Sequence, residues 1–253
     1  MKPHPGRRWR PAPSAPVLGE RELHLWCFPL DPGPGHMAPL AGLLDGAERA
    51  GCRRLRVARA RREQVAARAA LRRILSLYVG RPPGRLEFRR GPFGKPYLRQ
   101  RAGPEIYFNL SHSGGFGLVG VARAAEVGVD LEFRRRDRDW RRLAARFFAP
   151  EELAWLEGLP AGERLGGFYR IWTLKEAWLK ATGHGLRYGL GRFAVASPRG
   201  ISHRPYRIDG PHGDRAWRQR SLGGLAGHAI AVTHEGPTLR LRCWRTGPGG
   251  PRA

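Results

Sequence analysis

Residues 163–182 restrict the possible folds of this 253-residue chain more than any other segment. Their apolar members recur at helical spacing and Gly183 follows them, so they predict one long helix. Glu176 and Lys180 lie one turn apart on one face of this helix, in a segment too apolar for a solvated surface. A plain surface ion pair is the alternative, and it would contribute only about 0.3–0.5 kcal/mol. Because buried charges need partners, we expect another part of the chain to supply them.

A short strand with two carboxylates is the second informative segment. Residues 128–132 read GVDLE, and side chains on a strand alternate between its two faces. Val129 and Leu131 then point to one side, and Asp130 and Glu132 to the other. Two carboxylates this close repel each other, and a divalent cation between them relieves the repulsion. The polar face of an edge strand is the simpler alternative.

Two glycine-containing segments carry weaker chemical signals. In residues 108–115 (FNLSHSGG) a strand runs into a polar turn, where Ser111, His112 and exposed amides could cradle a phosphate. An ordinary hairpin turn is the alternative. In residues 93–96 (FGKP), glycine lets another group approach the backbone and proline fixes its course.

Helix and strand patterns alternate in both halves of the chain, which predicts an α+β fold. Residues 1–20 are rich in proline and 246–253 in glycine and proline, so we expect a flexible and a disordered tail. The division between them is expected near residue 125, with an N-terminal lobe at 21–125 and a C-terminal lobe at 126–245. A Gly-Gly turn followed by an apolar strand occurs in both lobes, which indicates either similar lobes or unrelated hairpins.

The longest N-terminal pattern is a helix at 60–79, preceded by a strand at 22–29. The polar face of this helix is expected to carry Arg61, Arg62, Arg68, Arg72 and Arg73. Further strands are expected at 106–110, 117–122, 127–132, 192–197, 216–222, 228–234 and 239–244, and short helices at 138–148 and 150–158.

The charge of the chain is strongly positive, with 46 Lys and Arg against 21 Asp and Glu, or +25. Coding bias with a solubility benefit is one explanation, and an anionic partner such as nucleic acid, a polyphosphate cofactor or an acidic protein is the other. Arginine dominates so fully that a lysine is informative, because a compact ammonium and a planar guanidinium are not interchangeable. The four lysines are Lys2, Lys95, Lys175 and Lys180.

Several classes of protein are disfavoured by what the sequence lacks. Three dispersed cysteines, Cys27, Cys52 and Cys243, argue against a disulfide framework or a zinc ribbon and favour the reducing cytoplasm. No apolar run reaches the roughly 18 residues of a membrane span. Phosphate-loop, dinucleotide-binding, hydrolase-elbow and zinc-protease motifs are missing too.

The order FGKP, FNLSHSGG, VGVDLE, FF-x-PEE and FYRIWTLKEAWLKATGHGL resembles the Sfp-type 4'-phosphopantetheinyl transferases over residues 23–232. The resemblance implies transfer of the 4'-phosphopantetheine arm of coenzyme A to a serine of an apo carrier protein, with release of adenosine 3',5'-bisphosphate. It also implies a monomer with two similar α+β lobes related by a pseudo-twofold axis, and coenzyme A bound between them.

The resemblance also implies roles for charged residues. Asp130, Glu132 and Glu176 would ligate Mg²⁺, for which hard carboxylate oxygens are suitable ligands. Lys180 would hold the pyrophosphate with assistance from Lys175. Glu176 and Lys180 would be catalytic, Glu176 as the general base that acts directly or through a bound water.

The remaining binding roles concern the nucleotide. Ser111 and His112 match the contact to the 3'-phosphate, and Arg90 matches a basic phosphate contact. Glu152 matches a carboxylate near the metal in some members, so the choice of base between it and Glu176 stays open. The segment expected along the adenine is Gly94, Lys95 and Pro96. A basic position of the family falls on Gly51 here, and the arginine that replaces it is not identified.

The resemblance gives the positive charge a partner, because carrier proteins are typically acidic around the modified serine. Residues 133–138 with Arg141, Arg142 and Arg146 could steer such a partner, although a solvated helix face is the alternative. Two rival functions are a basic nucleic-acid-binding module and a family member that binds coenzyme A without turnover. Arginines spread over the whole chain argue against the first rival, and three carboxylates argue against the second.

Overall fold

The computed structural model describes residues 9–33, 35–99, 105–123, 125–197, 199–206 and 215–251, and these divide between two units. Arg8–Arg89, Pro96–Ala124 and Leu239–Ala253 belong to the N-terminal unit. Arg90–Lys95 and Ala125–Thr238 belong to the C-terminal unit. Both units contain helices and strands, which confirms an α+β fold with two lobes. The pseudo-twofold relation between the lobes stays a prediction.

Most of the longer elements lie where the sequence predicts them. The strands are β1 (Arg10–Pro11), β2 (Glu22–Pro29), β3 (Phe88–Arg90), β4 (Pro96–Leu98), β5 (Ile106–Ser113), β6 (Phe116–Arg123), β7 (Val127–Phe133), β8 (Ala194–Ser197), β9 (Gly200–Tyr206), β10 (Trp217–Leu222), β11 (His228–Glu235) and β12 (Arg240–Arg245). The helices are α1 (Met37–Gly42), α2 (Gly46–Arg53), α3 (Ala58–Val79), α4 (Trp140–Phe147), α5 (Pro150–Glu157) and α6 (Arg164–Thr182). The sequence pattern does not predict α1, α2, β3, β4 or β9, because these elements are short or polar.

A five-stranded sheet in the order β1-β12-β2-β6-β5 forms the framework of the N-terminal unit. Strand β12 runs parallel to β1 and β2, and the other neighbours are antiparallel. Helix α3 contributes Leu71, Ile74 and Leu75 to the core that the sheet residues Trp26 and Val119 share. The helix ends at a left-handed Gly80 with φ 61°, as its sequence predicts.

Arg72 differs from the expected polar face of α3, because it is completely buried. Its guanidinium donates to Glu48 Oε2 at 2.7 Å and to Asp45 Oδ2 at 2.8 Å. It also donates to the carbonyl oxygens of Pro83 at 3.0 Å and Leu86 at 2.9 Å. Arginine tolerates burial here because a planar fork of donors meets acceptors on every side. This residue therefore ties three segments of the unit together.

The ends of the chain differ from the expected lobe boundaries. Residues 10–11 lie within the expected flexible tail but form β1, whose Arg10 is paired with Trp244. The sequence division at 125 predicts β12 in the C-terminal lobe, yet this strand pairs with β2 of the N-terminal unit. Part of the expected disordered tail contacts α3, because Arg73 donates to Gly249 O at 3.0 Å. Residues 1–8 and 252–253 lie outside the described residues.

The C-terminal unit is built on α6, which packs on a three-stranded antiparallel sheet in the order β10-β11-β7. A hairpin of β8 and β9 lies beside β10. The buried face of α6 includes Phe168, Ile171 and Trp178, and Trp178 packs against Phe193 and Trp217. Because so much of α6 is buried, apolar residues cover more of its circumference than a single buried face would require.

Cys27, Cys52 and Cys243 are buried, and none of them forms a disulfide. Among the described residues, no helix combines the length and the apolar character that crossing a membrane requires.

Candidate active site

Strand β7 and helix α6 approach each other closely at Gly128. This glycine lies two residues before Asp130, so both residues share one face of the strand. A Cβ atom on Gly128 would overlap the backbone of α6 at Ala177 and Ala181. The glycine therefore lets the strand and the helix come into backbone contact, and that contact puts Asp130 beside the charged side chains of α6.

The ammonium of Lys180 is held by this strand. It donates to Asp130 Oδ1 at 2.6 Å, with the Asp130 side chain 5% exposed and the Lys180 side chain 29% exposed. The partner that the sequence requires for the buried charges is thus a carboxylate of β7. In a simple surface pair, Glu176 on the same helix would be the only partner of Lys180.

Glu176 lies in the same cluster of charges, which we call the carboxylate cluster and which consists of Asp130, Glu132 and Glu176. The pKa of the Glu176 carboxyl is raised to about 7, chiefly by burial and then by the negative charge of Asp130. Glu132 raises it as well, whereas the ammonium of Lys180 lowers it. Asp130 and Glu132 are therefore close enough to affect the pKa of Glu176.

The carboxylate cluster has the donor chemistry that Mg²⁺ prefers, because all its ligating atoms are carboxylate oxygens. Burial first, and then the negative charges of Asp130 and Glu132, raise the pKa of Glu176, so a cation at this point would favour its charged form. Within the described ranges, no group of three or more His, Cys, Asp or Glu side chains is arranged to hold a metal ion. The residues fit a hard cation by chemistry, and their side chains would have to close around it.

Lys175 does not lie with Lys180 in the carboxylate cluster, although the two are only five positions apart on one helix. Its side chain is fully buried and donates to Glu152 Oε1 at 2.8 Å and to Phe193 O at 2.6 Å. Glu152 in turn accepts from the amides of Ala149 at 2.8 Å and Val195 at 2.7 Å. This enclosed pair links α5, α6 and β8. The structure thus pairs Lys175 with Glu152, and the expected roles of Lys175 at the pyrophosphate and of Glu152 near the metal stay predictions.

The segment from β3 to β4 contains four of the residues expected near the nucleotide. Arg90 donates to Gly94 O at 3.2 Å, and Gly94 has φ 88°, a backbone conformation that favours glycine. Lys95 is 8% exposed, and its ammonium donates to Glu126 and to two carbonyl oxygens. Pro96 begins β4. The Lys95 side chain is therefore turned inward, and the expected course of Gly94, Lys95 and Pro96 along the adenine stays a prediction.

Ser111 and His112 lie in the N-terminal unit, in strand β5. The sequence predicts a turn here, but the turn contains only Gly114 and Gly115, with φ 57° and 80°. His112 Nε2 is 2.8 Å from Gln64 Oε1 on α3, and Ser111 is 6% exposed. The two residues point to opposite faces of the strand, since neighbours on a strand alternate.

Comparison with known proteins gives the family. The model of the 4'-phosphopantetheinyl transferase superfamily matches residues 126–233, and the N-terminal model of 4'-phosphopantetheinyl transferases matches residues 31–125. The 4'-phosphopantetheinyl transferase HetI of Nostoc sp. is 41% identical over 70% of this chain and 76% of its own length. The chain belongs to the 4'-phosphopantetheinyl transferase superfamily. It is therefore a transferase that moves phosphopantetheine from coenzyme A to carrier proteins.

Two more proteins resemble this transferase. The 4'-phosphopantetheinyl transferase psf-1 of Bacillus pumilus is 35% identical over 58% of this chain and 61% of its own length. A solved holo-(acyl-carrier-protein) synthase of Bacillus anthracis in complex with CoA is 19% identical, with a TM-score of 0.36, and covers 44% of this chain and 94% of its own.

Two partners of the expected site residues escape the motif reading of this transferase. Gln64 and Glu126 meet His112 and Lys95 only after folding, because 48 and 31 residues separate the partners. Gly128 does leave a signal, since a glycine stands where the alternation predicts a side chain on the same face as Asp130.

We expect Gly128→Ala to lower both the stability and the turnover of this transferase, although the substitution adds only one methyl group. The added methyl must push α6 away from β7, which should destabilise the fold by about 2–3 kcal/mol and lower turnover. Gly166→Ala is the matched control, because it lies in α6 with open space around it and should change stability by no more than about 1 kcal/mol. Thermal unfolding and a transfer assay measure both effects, and equal behaviour of the two variants would contradict the close approach.

Proposed function

We propose that the transfer depends on Mg²⁺ held by Asp130, Glu132 and Glu176, and that Lys180 binds the pyrophosphate of coenzyme A. The observation that carries the proposal is the Lys180–Asp130 contact of 2.6 Å inside the carboxylate cluster. It brings the ammonium of α6 and the carboxylates of β7 to one place. When bound, Mg²⁺ would draw electron density from the phosphoryl oxygens.

The reaction needs a nucleophile, a base and charge compensation. The serine Oγ of the carrier attacks the β-phosphorus of coenzyme A. An Oγ–phosphorus bond forms, the bond from that phosphorus to the bridging oxygen breaks, and adenosine 3',5'-bisphosphate leaves. Glu176 takes the serine proton, and Lys180 offsets the negative charge that grows on the phosphoryl oxygens.

Glu152 is a poor alternative as the base. Its two oxygens are fully buried and occupied by Lys175 and by two backbone amides. A base must reach the proton that it removes, so Glu176, which is less deeply enclosed, is the better candidate.

The decisive experiment is a transfer assay on defined carriers. The protein is incubated with coenzyme A and a panel of apo carriers, with Mg²⁺ or with EDTA, and the carriers are weighed by mass spectrometry. We expect an added mass of about 340 Da, that of the phosphopantetheine arm, only when Mg²⁺ is present. Undiminished transfer in EDTA would contradict the metal proposal and leave the transferase itself intact.

The carrier is proposed to be acidic, because basic residues directly follow β7, the strand that carries Asp130 and Glu132. Arg134, Arg135 and Arg136 are exposed, and Arg141 on α4 lies over the ring of Trp140 at 4.5 Å. Exposed positive charge accelerates the encounter with a negative partner. We also propose that the enzyme is a monomer of the reducing cytoplasm, where buried thiols stay reduced.

Lys180→Arg should reduce turnover at least tenfold, which is about 1.4 kcal/mol of activation free energy. The compact ammonium sits between a carboxylate and the proposed phosphate, and the wider, planar guanidinium fits this space poorly. Thermal stability should change little. Steady-state kinetics check the result, and wild-type turnover in this variant would remove Lys180 from the transfer site.

His112→Ala tests the proposed contact between Ser111-His112 and the 3'-phosphate. A charged hydrogen bond of this kind contributes about 1.5–3 kcal/mol, so the Kd of coenzyme A should rise roughly tenfold or more. The Kd of 3'-dephospho-coenzyme A should hardly change. Calorimetric titration measures both constants. An equal loss for both ligands would contradict a contact between His112 and the 3'-phosphate.

A further inference from the structure

The loop of residues 91–95 is held in one conformation by its own backbone. Gly91 N donates to Lys95 O at 2.9 Å, and Gly94 N donates to Gly91 O at 2.9 Å. Phe93, at the outer side of the loop, stacks on His184 with ring centroids 4.7 Å apart. His184 lies just beyond the end of α6. The loop therefore contacts the residues at the C-terminal end of that helix. Its hydrogen-bonded backbone fixes the point from which the Lys95 side chain extends.

The ammonium of Lys95 meets three oxygen atoms inside the C-terminal unit. It donates to Glu126 Oε2 at 2.5 Å, to Ala181 O at 2.6 Å and to Val127 O at 3.3 Å. The side chain is only 5% exposed. A lysine ammonium has three protons, and here three acceptors are within hydrogen-bond distance. A compact ammonium suits this enclosed space better than a guanidinium does.

The acceptors lie at the junction of the two elements that form the carboxylate cluster. Ala181 is in the last turn of α6, where carbonyl oxygens lack a helical donor and the helix dipole favours a positive charge. Val127 is the first residue of β7. In sequence, Lys180 immediately precedes Ala181, and Asp130 follows Val127 by three residues.

We propose that Lys95 is a positioning residue of the transfer site, which ties the end of α6 to the start of β7 and thereby holds Lys180 against Asp130. The inference rests on the proposed function of the carboxylate cluster. It departs from the expectation that Lys95 contacts the nucleotide, because its ammonium is already surrounded by oxygens of the protein. Gly128 allows the close approach of helix and strand, and Lys95 fastens it at one end.

The test compares Lys95→Met with the wild type in three measurements: kcat, the Kd of coenzyme A and the Kd of Mn²⁺, the last followed by electron paramagnetic resonance. Loss of the tie should loosen Asp130 relative to Glu176 and Lys180. We expect kcat to fall about tenfold and the Kd of Mn²⁺ to rise about tenfold, a loss of the size seen when residues that orient metal ligands are replaced. The Kd of coenzyme A should rise less than the Kd of Mn²⁺, because Lys95 affects the pyrophosphate only through Lys180. Loss of a direct contact of this ammonium would raise the Kd of coenzyme A more than that of Mn²⁺.

Arg72→Met controls for stability. Arg72 is a buried cation in the N-terminal unit, so its loss lowers stability without touching β7 or α6. We expect this variant to keep the wild-type kcat and Mn²⁺ affinity at temperatures where it is folded. Glu126→Gln weakens the same tie while it keeps the ammonium, and it should show a smaller loss in the same direction. It also takes the place of Lys95→Met if that variant does not fold.

Two results would overturn the proposal. A large rise in the Kd of coenzyme A with unchanged kcat and Mn²⁺ affinity would make Lys95 a ligand contact. A lower melting temperature with all three constants unchanged would make it a purely structural residue. If the wild type itself binds no Mn²⁺, the metal proposal fails, and Lys95 is then judged by kcat and the Kd of coenzyme A. A fall in kcat that exceeds the rise in the Kd of coenzyme A supports the positioning role. Any other outcome contradicts it.

Discussion

Asp130→Ala should lower the turnover of carrier modification at least about a hundredfold, or about 2.7 kcal/mol of activation free energy. The substitution removes one proposed Mg²⁺ ligand and the acceptor that holds Lys180 at 2.6 Å. Both the neutralisation of the pyrophosphate and the placement of the ammonium should suffer. The rate is measured by mass spectrometry of the carrier over a range of Mg²⁺ concentrations.

Stability should not account for this loss. Removal of Asp130 also removes repulsion within the carboxylate cluster, so the variant should remain folded. Glu157→Ala is a suitable control, since it removes an exposed carboxylate at the end of α5 in the same unit. Comparable turnover in the Asp130 and Glu157 variants would show that the carboxylate cluster does not take part in transfer.

Arg72→Met should cause the largest loss of stability among the substitutions considered, about 3 kcal/mol or more in the free energy of unfolding. The methionine leaves Glu48, which is 9% exposed, without its ion pair and leaves the carbonyl groups of Pro83 and Leu86 without this donor. Buried groups that lose a partner retain the full cost of their desolvation. For a chain of this size the melting temperature should fall by about 6–12 °C, read by calorimetry or circular dichroism.

Arg59→Met is the matched control for this prediction. Arg59 lies on the same helix and pairs with Glu63 at 2.9 Å, but its side chain is 72% exposed. An exposed pair at this spacing contributes no more than about 0.5 kcal/mol. If the two variants melt at the same temperature, the buried network around Arg72 does not stabilise the unit as its contacts indicate.

The sequence could predict the elements that form the carboxylate cluster because the signals are local. Alternation on β7 places Asp130 and Glu132 on one face, and helical spacing places Glu176 and Lys180 one turn apart. That the two faces meet follows from folding, and only Gly128 hints at it. The contact between Lys180 and Asp130 joins residues 50 positions apart, which periodicity cannot reveal.

Because arginine dominates this sequence, its few lysines indicate positions that need a compact ammonium. These positions need it for different reasons. Lys180 lies in the carboxylate cluster, whereas Lys95 and Lys175 hold enclosed arrays of oxygen atoms. Lys175 and Glu176 are neighbours on α6 and so point about 100° apart, which sends one side chain into the core. Composition distinguishes lysine from arginine sites, but not binding from structural ones.

Arg72 shows the opposite failure, in which a pattern assigned a charged residue to the surface. A helical pattern counts every arginine as polar, and it predicts five arginines, Arg72 among them, on one exposed face of α3. The acceptors that allow Arg72 to be buried come from Asp45 and Glu48, 27 and 24 residues earlier, and from the turn after the helix. Such partners are fixed by tertiary structure alone.

The parallel pairing of β12 with β2 has a consequence for how the chain acquires its fold during synthesis. The sheet of the N-terminal unit takes its second strand from residues 240–245, so residues 125–238 amount to an insertion between β6 and β12. On the ribosome, β2 must wait for the synthesis of residues 240–245 before its parallel neighbour emerges. Until then it presents an unpaired edge, the kind of surface that recruits strands from other chains. Nascent chains stalled ahead of this last strand are accordingly the species most in need of a chaperone.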